Sequence, residues 1–129
     1  MKIKTSELTG HALDWAAATA EGFGPGYMKN IDLRYDAGRM VVCMLVPINR
    51  EYVIWSPTTR WAQGGPIIER EMIDIERLHS ANQWYATHPK NKGGLIRHHG
   101  YGPTPLIAAM RCYVASKLGD EVEIPEELI

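Results

Sequence analysis

The chain has 129 residues, of which 45 % are apolar and 22 % are charged, and its formal net charge is −1. This length and composition predict one globular domain over residues 1–129, with a core that needs neither disulfides nor metal, and they exclude a disordered chain. The net charge near zero also argues against direct DNA binding.

The cysteine content and the length of the apolar runs indicate the cellular localisation of the protein. Cys43 and Cys112 both lie in apolar runs, which predicts buried thiols rather than a disulfide scaffold. Residues 40–47 form the longest fully apolar stretch, far below the roughly 20 residues that cross a bilayer, and the N-terminus lacks an apolar signal segment. We therefore expect a soluble cytoplasmic protein with no membrane association.

The first predicted element is a helix over residues 8–22, "LTGHALDWAAATAEG". Thr9 is a suitable N-cap, Leu8 and Leu13 occupy the positions of a hydrophobic staple, and the alanines favour helix. Gly22 is expected to end this helix, because a glycine-proline loop follows it.

Strands are predicted next, over residues 30–55, with breaks at residues 36–38 and 47–50. Residues 40–46, "MVVCMLV", are apolar on both faces, as a central strand requires. Residues 65–76, "GPIIEREMIDIE", predict a strand and a turn, whereas residues 80–88 fit helix and strand equally well.

The last helix is predicted over residues 104–118, with Thr104 as N-cap, Pro105 at the first helical position and Gly119 after its end. Its apolar residues recur at helical spacing and predict a buried face. Helix, several strands and helix together favour an α+β domain in which a small antiparallel or mixed sheet packs against two main helices.

The most unusual segment is "WSPTTRWAQGGPIIERE", residues 55–71. Pro57 and Pro66 stiffen its backbone, and neighbouring glycines allow close approach of a ligand. Two interpretations are open. Trp55 and Trp61 either stack on a flat ligand, or fill the core while the glycines only turn the chain.

A second glycine-proline-aromatic segment is "HHGYGPTP", residues 98–105. A helix that begins at Thr104 presents free amides to an anion, and Gly100 and Gly102 permit close backbone approach. The alternative is an ordinary capped helix behind a loop. The lysine and spacing of a P-loop are missing, so this segment does not indicate a nucleotide triphosphatase.

Signals for metal or catalysis are weak. The adjacent His98 and His99 do not match a compact ligand spacing, and no G-x-S-x-G motif occurs. Glu69 and Glu71 would share one face of a strand, where they could act in acid–base chemistry or form a solvated edge. We expect no metal, no cofactor and no catalysis.

Residues 1–22, 55–71 and 102–128 together resemble the NinX family of phage and prophage proteins. The resemblance implies a small accessory protein made inside a bacterium, in a family without an assigned function. Because this family often has an acid at the position of Arg60, the resemblance implies Trp61, Gln63, Gly64 and Gly65 as shared functional residues instead.

From these observations we expect a protein that binds and withholds a nucleotide-derived small molecule, such as a cyclic nucleotide signal of host defence, and that forms a homo-oligomer. The alternatives are a protein–protein interaction module and a small nucleotide-processing enzyme. The predicted ligand-binding residues are Trp55, Ser56, Pro57, Thr58, Trp61, Gln63, Gly64, Gly65, Gly102, Thr104 and Arg111.

Overall fold

The computed structural model describes residues 1–24, 30–46, 51–79, 81–89 and 98–129. These contain the helices α1 (Gly10–Ala20), α2 (Trp61–Glu71) and α3 (Pro105–Leu118), and two short 3-10 turns, Thr5–Glu7 and Glu126–Leu128. The strands are β1 (Lys2–Lys4), β2 (Ile31–Asp36), β3 (Arg39–Val46), β4 (Glu51–Ile54), β5 (Asp74–Leu78), β6 (Gln83–His88), β7 (His98–Gly102) and β8 (Glu121–Glu123).

The α+β class predicted from the sequence is confirmed. The described strands form three small antiparallel sheets, with the orders β2-β3-β4, β5-β6-β7 and β1-β8. Helix α3 packs on β6 and β7 and also contacts α1, so it lies at the centre of the fold. None of the helices in the described ranges is both long and apolar enough to cross a membrane.

Helix α1 lies within the predicted range. Thr9 takes the extended N-cap conformation, although its side chain makes no capping hydrogen bond. Leu8 and Leu13 are both buried, and Gly22 follows the helix at φ 91°. The glycine-proline loop beyond it lies largely outside the described residues.

Strand β3 is the central strand of its sheet, as its apolar sequence predicts. Val41, Val42 and Cys43 are buried, and both Cys43 and Cys112 are free thiols. The predicted break at residues 36–38 is a two-residue hairpin turn at Ala37 and Gly38. The predicted break at residues 47–50 lies outside the described residues.

The strand and turn predicted at residues 65–76 are wrong in their first half, because that half belongs to α2. Gly64, Gly65 and Pro66 all disfavour a helix locally. Tertiary packing overrides that preference, since Ile67 is fully buried in the core. Met72 ends the helix in a left-handed conformation, and β5 begins only at Asp74.

Helix α3 has the predicted limits and cap. The Thr104 hydroxyl accepts a hydrogen bond from the Ile107 amide at 3.2 Å. The helix is buried on more than its one predicted face, because the sheet β5-β6-β7 and α1 cover different sides of it. Its buried residues are Leu106, Ala108, Ala109, Met110, Cys112, Tyr113 and Val114.

Candidate functional site

Residues 55–60 connect β4 to α2 and fold over the side of α1, where Asp14 organises them. Asp14 is 1 % exposed, and its Oδ1 accepts a hydrogen bond from the Thr58 amide at 3.0 Å. The Ser56 hydroxyl donates to Asp14 Oδ2 at 3.3 Å, and the Trp55 indole donates to the Asp14 carbonyl at 3.0 Å. Ser56, Pro57 and Thr58 are therefore buried in a turn that α1 holds in place.

The two tryptophans of this segment lie in different environments. Trp55 is 6 % exposed and packs in the core beside Phe23, with their ring centroids 6.4 Å apart. Trp61 is the first residue of α2 and is 56 % exposed. Trp55 therefore matches the interpretation in which the indole fills the core. Trp61 does not fill the core, because its side chain lies at the surface.

Gln63 and Gly64 hold the start of α2 against its neighbours. Gln63 accepts from the Ser56 amide at 2.6 Å and donates to the Ile54 carbonyl at 2.8 Å. The Gly64 amide donates to the Arg60 carbonyl at 2.9 Å. Gly64 and Gly65 are thus part of a helix rather than of the stiff loop predicted from the sequence, and the Gly64 amide already has a partner.

The glycines before α3 are explained by packing. A Cβ atom at Gly100 would lie 2.5 Å from the Ala108 carbonyl oxygen, and one at Gly102 would lie 2.8 Å from an Ile107 methyl group. Both glycines let α3 lie directly on β7. Thr104 uses its hydroxyl as the cap of α3, so this segment matches the alternative of an ordinary capped helix.

Arg111 binds the protein's own backbone. Its Nε donates to the Leu8 carbonyl at 2.9 Å and its Nη1 to the Tyr101 carbonyl at 2.7 Å. Burial lowers the pKa of this guanidinium. Arg111 also borders a hollow of about 510 Å³ beside β7, where Lys4 is offset by Asp120 and Glu121.

A second hollow, of about 470 Å³, lies where α1 and α2 both begin; we call it the helix-start hollow. The first two residues of α1 and the β2–β3 turn form part of its wall. The lining residues are Gly10, His11, Asp14, Asp36, Ala37, Arg39, Val41, Ile54, Ser56, Thr58, Thr59 and Arg60. Of the predicted ligand-binding residues, Ser56 and Thr58 are the ones that line it.

The helix-start hollow is suited to an anion. The N-cap residues Thr9 and Arg60 make no side-chain capping bond, so neither helix has its first amides capped in this way. Arg39 and Arg60 line the hollow, and among the described residues neither has a carboxylate within salt-bridge distance. Two helix dipoles and two guanidinium groups favour negative charge here, and the carboxylates of Asp14 and Asp36 in the same lining oppose them.

Polar groups without partners lie in the same wall. Within the described ranges, no hydrogen-bond partner is available to Thr58 Oγ1 or to His11 Nδ1, although both atoms are buried. His11 Nδ1 is 3.6 Å from Asp14 Oδ2. Burial raises the pKa of Asp14, and the Thr58 amide opposes this rise by donating a hydrogen bond to the carboxylate form. A buried polar group without a partner costs about 1–3 kcal/mol, which a bound molecule could recover.

Several lining residues of this hollow were not singled out from the sequence, among them His11, Asp14, Asp36, Ala37 and Arg39. One signal was available, because Asp14 is the single acid in the alanine-rich segment of residues 10–20. An acid among residues with buried neighbours indicates a specific partner.

The predicted pairing of Glu69 and Glu71 does not occur, since both belong to α2 rather than to a strand. Glu69 is exposed, whereas Glu71 lies 3.0 Å from His88 Nε2 and 3.1 Å from Arg70 Nε. Arg70 also binds Glu21, which accepts a hydrogen bond from Tyr113. This network ties α2 to α1, α3 and β6, at residues that do not line the helix-start hollow.

We expect Glu71→Gln to lower the free energy of unfolding at pH 7 by roughly 1–2 kcal/mol. Burial opposes ionisation of Glu71, but His88, Arg70 and Lys117 outweigh it and lower the pKa below its usual 4.5. A lowered folded-state pKa gives stability that is present above the unfolded pKa and lost as the pH falls. Urea titrations at several pH values should therefore show the two proteins converging in acid. A constant difference would contradict the assignment.

The family model described as bacteriophage P22 NinX matches residues 4–117 of the chain. This range includes α1, α2, nearly all of α3 and every residue that lines the helix-start hollow. No curated protein matches the sequence.

Proposed function

The chain belongs to the bacteriophage P22 NinX family, and from this premise we propose that it binds and withholds a phosphate-bearing, nucleotide-derived small molecule in the helix-start hollow. A phage protein of this kind would remove a nucleotide signal of host defence without chemical conversion. The observation that carries the proposal is the start of two helices at one hollow beside two arginines, neither of which has a carboxylate within salt-bridge distance in the described chain.

The charge of the hollow supports a phosphate. Amides in the first turn of a helix and guanidinium groups both bind phosphate oxygens, and their effects add when they face one site. Two acids also line the hollow, Asp14 and Asp36. Asp14 weakens this attraction less than the exposed Asp36 does, because the Asp14 carboxylate is already bonded to Thr58 and Ser56 and burial disfavours its charged form.

The size of the hollow supports a small molecule rather than a polymer. About 470 Å³ lies within the range of about 300–1,000 Å³ that ligand pockets occupy. Nucleic acid binding usually needs a positively charged surface, which a net charge of −1 does not favour. Trp61, exposed next to Arg60 in sequence, is available to a ligand that extends beyond the hollow.

The direct test is to purify the protein from bacteria with an active nucleotide-signalling defence, heat it, and identify what is released by mass spectrometry. Release of an unchanged nucleotide supports sequestration, and release of a converted product supports the enzyme alternative. Absence of any nucleotide from repeated preparations, together with no binding of a nucleotide panel in calorimetry, contradicts the proposal.

We expect Arg39→Gln to weaken binding of the recovered nucleotide about tenfold or more, because one phosphate-facing charge is lost. Its stability should change little, since Arg39 is exposed and has no ion-pair partner in the described residues. The matched control is Arg77→Gln, which removes an exposed arginine that does not line the hollow. Equal loss in both variants would indicate a general effect of net charge.

The interaction-module alternative rests on a different surface. Trp61 and Met72 are 56 % and 68 % exposed and lie at the two ends of α2, eleven positions apart, which places them on one side of the helix. Exposed tryptophan and methionine are frequent at protein interfaces. Capture of one stable host protein that is lost in Trp61→Ala would favour this alternative, and light scattering tests the expected homo-oligomer.

A further inference from the structure

The β2–β3 turn contains a residue in an unfavourable backbone conformation. Asp36 pairs with Arg39, so Ala37 and Gly38 alone form the turn, and both have positive φ, 51° and 85°. Two-residue turns of this kind favour asparagine, aspartate or glycine at the first position. An alanine there costs about 1 kcal/mol, because its Cβ approaches the following carbonyl oxygen.

This strained residue lies in the wall of the helix-start hollow. Ala37 is exposed, and a Cβ there costs stability without adding to the core. On the same wall, Val41 and Ile54 add apolar surface, while Arg39 and the helix starts supply positive charge. The lining therefore combines apolar groups with groups that can bind an anion. Strain that persists at a ligand-facing residue commonly reflects function.

We infer that Ala37 is a specificity-determining residue, whose methyl group keeps this wall small and apolar for a flat, uncharged ring. The ring packs against Ala37, Val41 and Ile54, while the phosphate lies near Arg39 and the helix starts. This inference rests on the proposed function and narrows its ligand class. The hollow accepts phosphates that carry a ring, such as nucleoside phosphates, in preference to bare phosphate.

The test compares two replacements at Ala37. Asparagine suits the turn but places a polar amide in the wall, whereas glycine relieves the strain and leaves the wall open. Binding is measured by calorimetry with 3′,5′-cyclic AMP, 3′,5′-cyclic GMP and the ribonucleoside 5′-monophosphates, and with inorganic pyrophosphate as the ringless probe. Thermal unfolding is measured on the same samples.

We expect Ala37→Asn to unfold at an equal or higher temperature than the wild type and to bind its best nucleotide about tenfold more weakly. Its affinity for pyrophosphate should stay within about twofold, since the phosphate end of the hollow is unchanged. Ala37→Gly should bind its best nucleotide about fourfold more weakly, because the ring loses its contact with the methyl group. Higher stability combined with weaker nucleotide binding is a result that a purely structural role of Ala37 would not produce.

Several outcomes would overturn the inference. These are wild-type nucleotide affinity in Ala37→Asn, an equal loss of pyrophosphate and nucleotide affinity in that variant, and a lower unfolding temperature. A wild type that binds pyrophosphate but none of the nucleotides also overturns it, while leaving the anion site in place. A wild type that binds no probe at all removes the proposed function and, with it, this inference.

Discussion

Gly64→Ala should destabilise the domain by about 3 kcal/mol, a large share of the roughly 5–15 kcal/mol by which native domains are stable. The added Cβ would lie 2.5 Å from the Pro57 carbonyl oxygen and 2.6 Å from Leu106 Cδ2. The first of these contacts is with backbone that Asp14 holds through Thr58, so it cannot move without breaking that hydrogen bond. Urea denaturation followed by tryptophan fluorescence measures the loss.

The neighbouring residue provides the control. Gly65→Ala should change the free energy of unfolding by no more than about 0.5 kcal/mol. Its Cβ would meet only the Trp61 ring, at 4.0 Å. Alanine favours the helix over glycine, but the position before Pro66 disfavours helical backbone for any residue with a Cβ, and the two effects offset each other. Equal destabilisation by both variants would show that close packing at Gly64 is not the cause.

Asp14→Ala should lower the free energy of unfolding by roughly 3 kcal/mol, because the buried Thr58 amide and Ser56 hydroxyl lose their acceptor. Asp14→Asn should be far milder. Its amide oxygen can accept from the Thr58 amide, and its NH₂ group can donate to Ser56 Oγ, where the two carboxylate oxygens now lie. Chemical denaturation at pH 7 separates the two variants.

The pH dependence of the same pair tests the ionisation of Asp14. Burial raises the pKa of Asp14, so the folded chain holds this proton more tightly than the unfolded chain does. Stability from protonated Asp14 is therefore full in acid and lost as the pH rises through the raised pKa. We expect the wild type to gain stability relative to Asp14→Asn as the pH falls. A loss of wild-type stability relative to Asp14→Asn as the pH falls would contradict the raised pKa.

Glu71 should behave in the opposite sense to Asp14, although both are carboxylates near helix α2. Cations surround Glu71 and lower its pKa, whereas Asp14 is buried with neutral donors as its closest partners. The change in the free energy of unfolding at acid pH is thus a sum of two opposing contributions. Measuring each variant separately is necessary to resolve them.

Asp14 connects the stability of the fold to the proposed binding site. It holds Ser56 and Thr58 in the wall of the helix-start hollow, so Asp14→Ala should impair both folding and binding. Arg39→Gln and Ala37→Asn act on the hollow without touching that scaffold. Loss of binding in those two variants, with the fold retained, would separate the site from the structure that supports it.

The sequence by itself determined the elements whose local signals agree. The helices α1 and α3 follow from their cap positions, their terminal glycines and their apolar spacing, and β3 follows from its unbroken apolar run. The β2–β3 turn was also visible, since the Asp-Ala-Gly segment at residues 36–38 indicates a break between two strands. These features depend on interactions between residues close together in the sequence, so sequence patterns alone can predict them.

Only the tertiary structure decided the remainder. Helix α2 forms although its glycines and proline disfavour helix. It is stabilised because Ile67 is buried in the core and Gly64 packs closely against Pro57 and Leu106. Trp55 and Trp61 look alike in sequence, yet one is buried beside Phe23 and the other lies on the surface. The helix-start hollow joins α1, the β2–β3 turn and the start of α2. Contacts between segments this far apart depend on how the elements pack, which local sequence patterns do not encode.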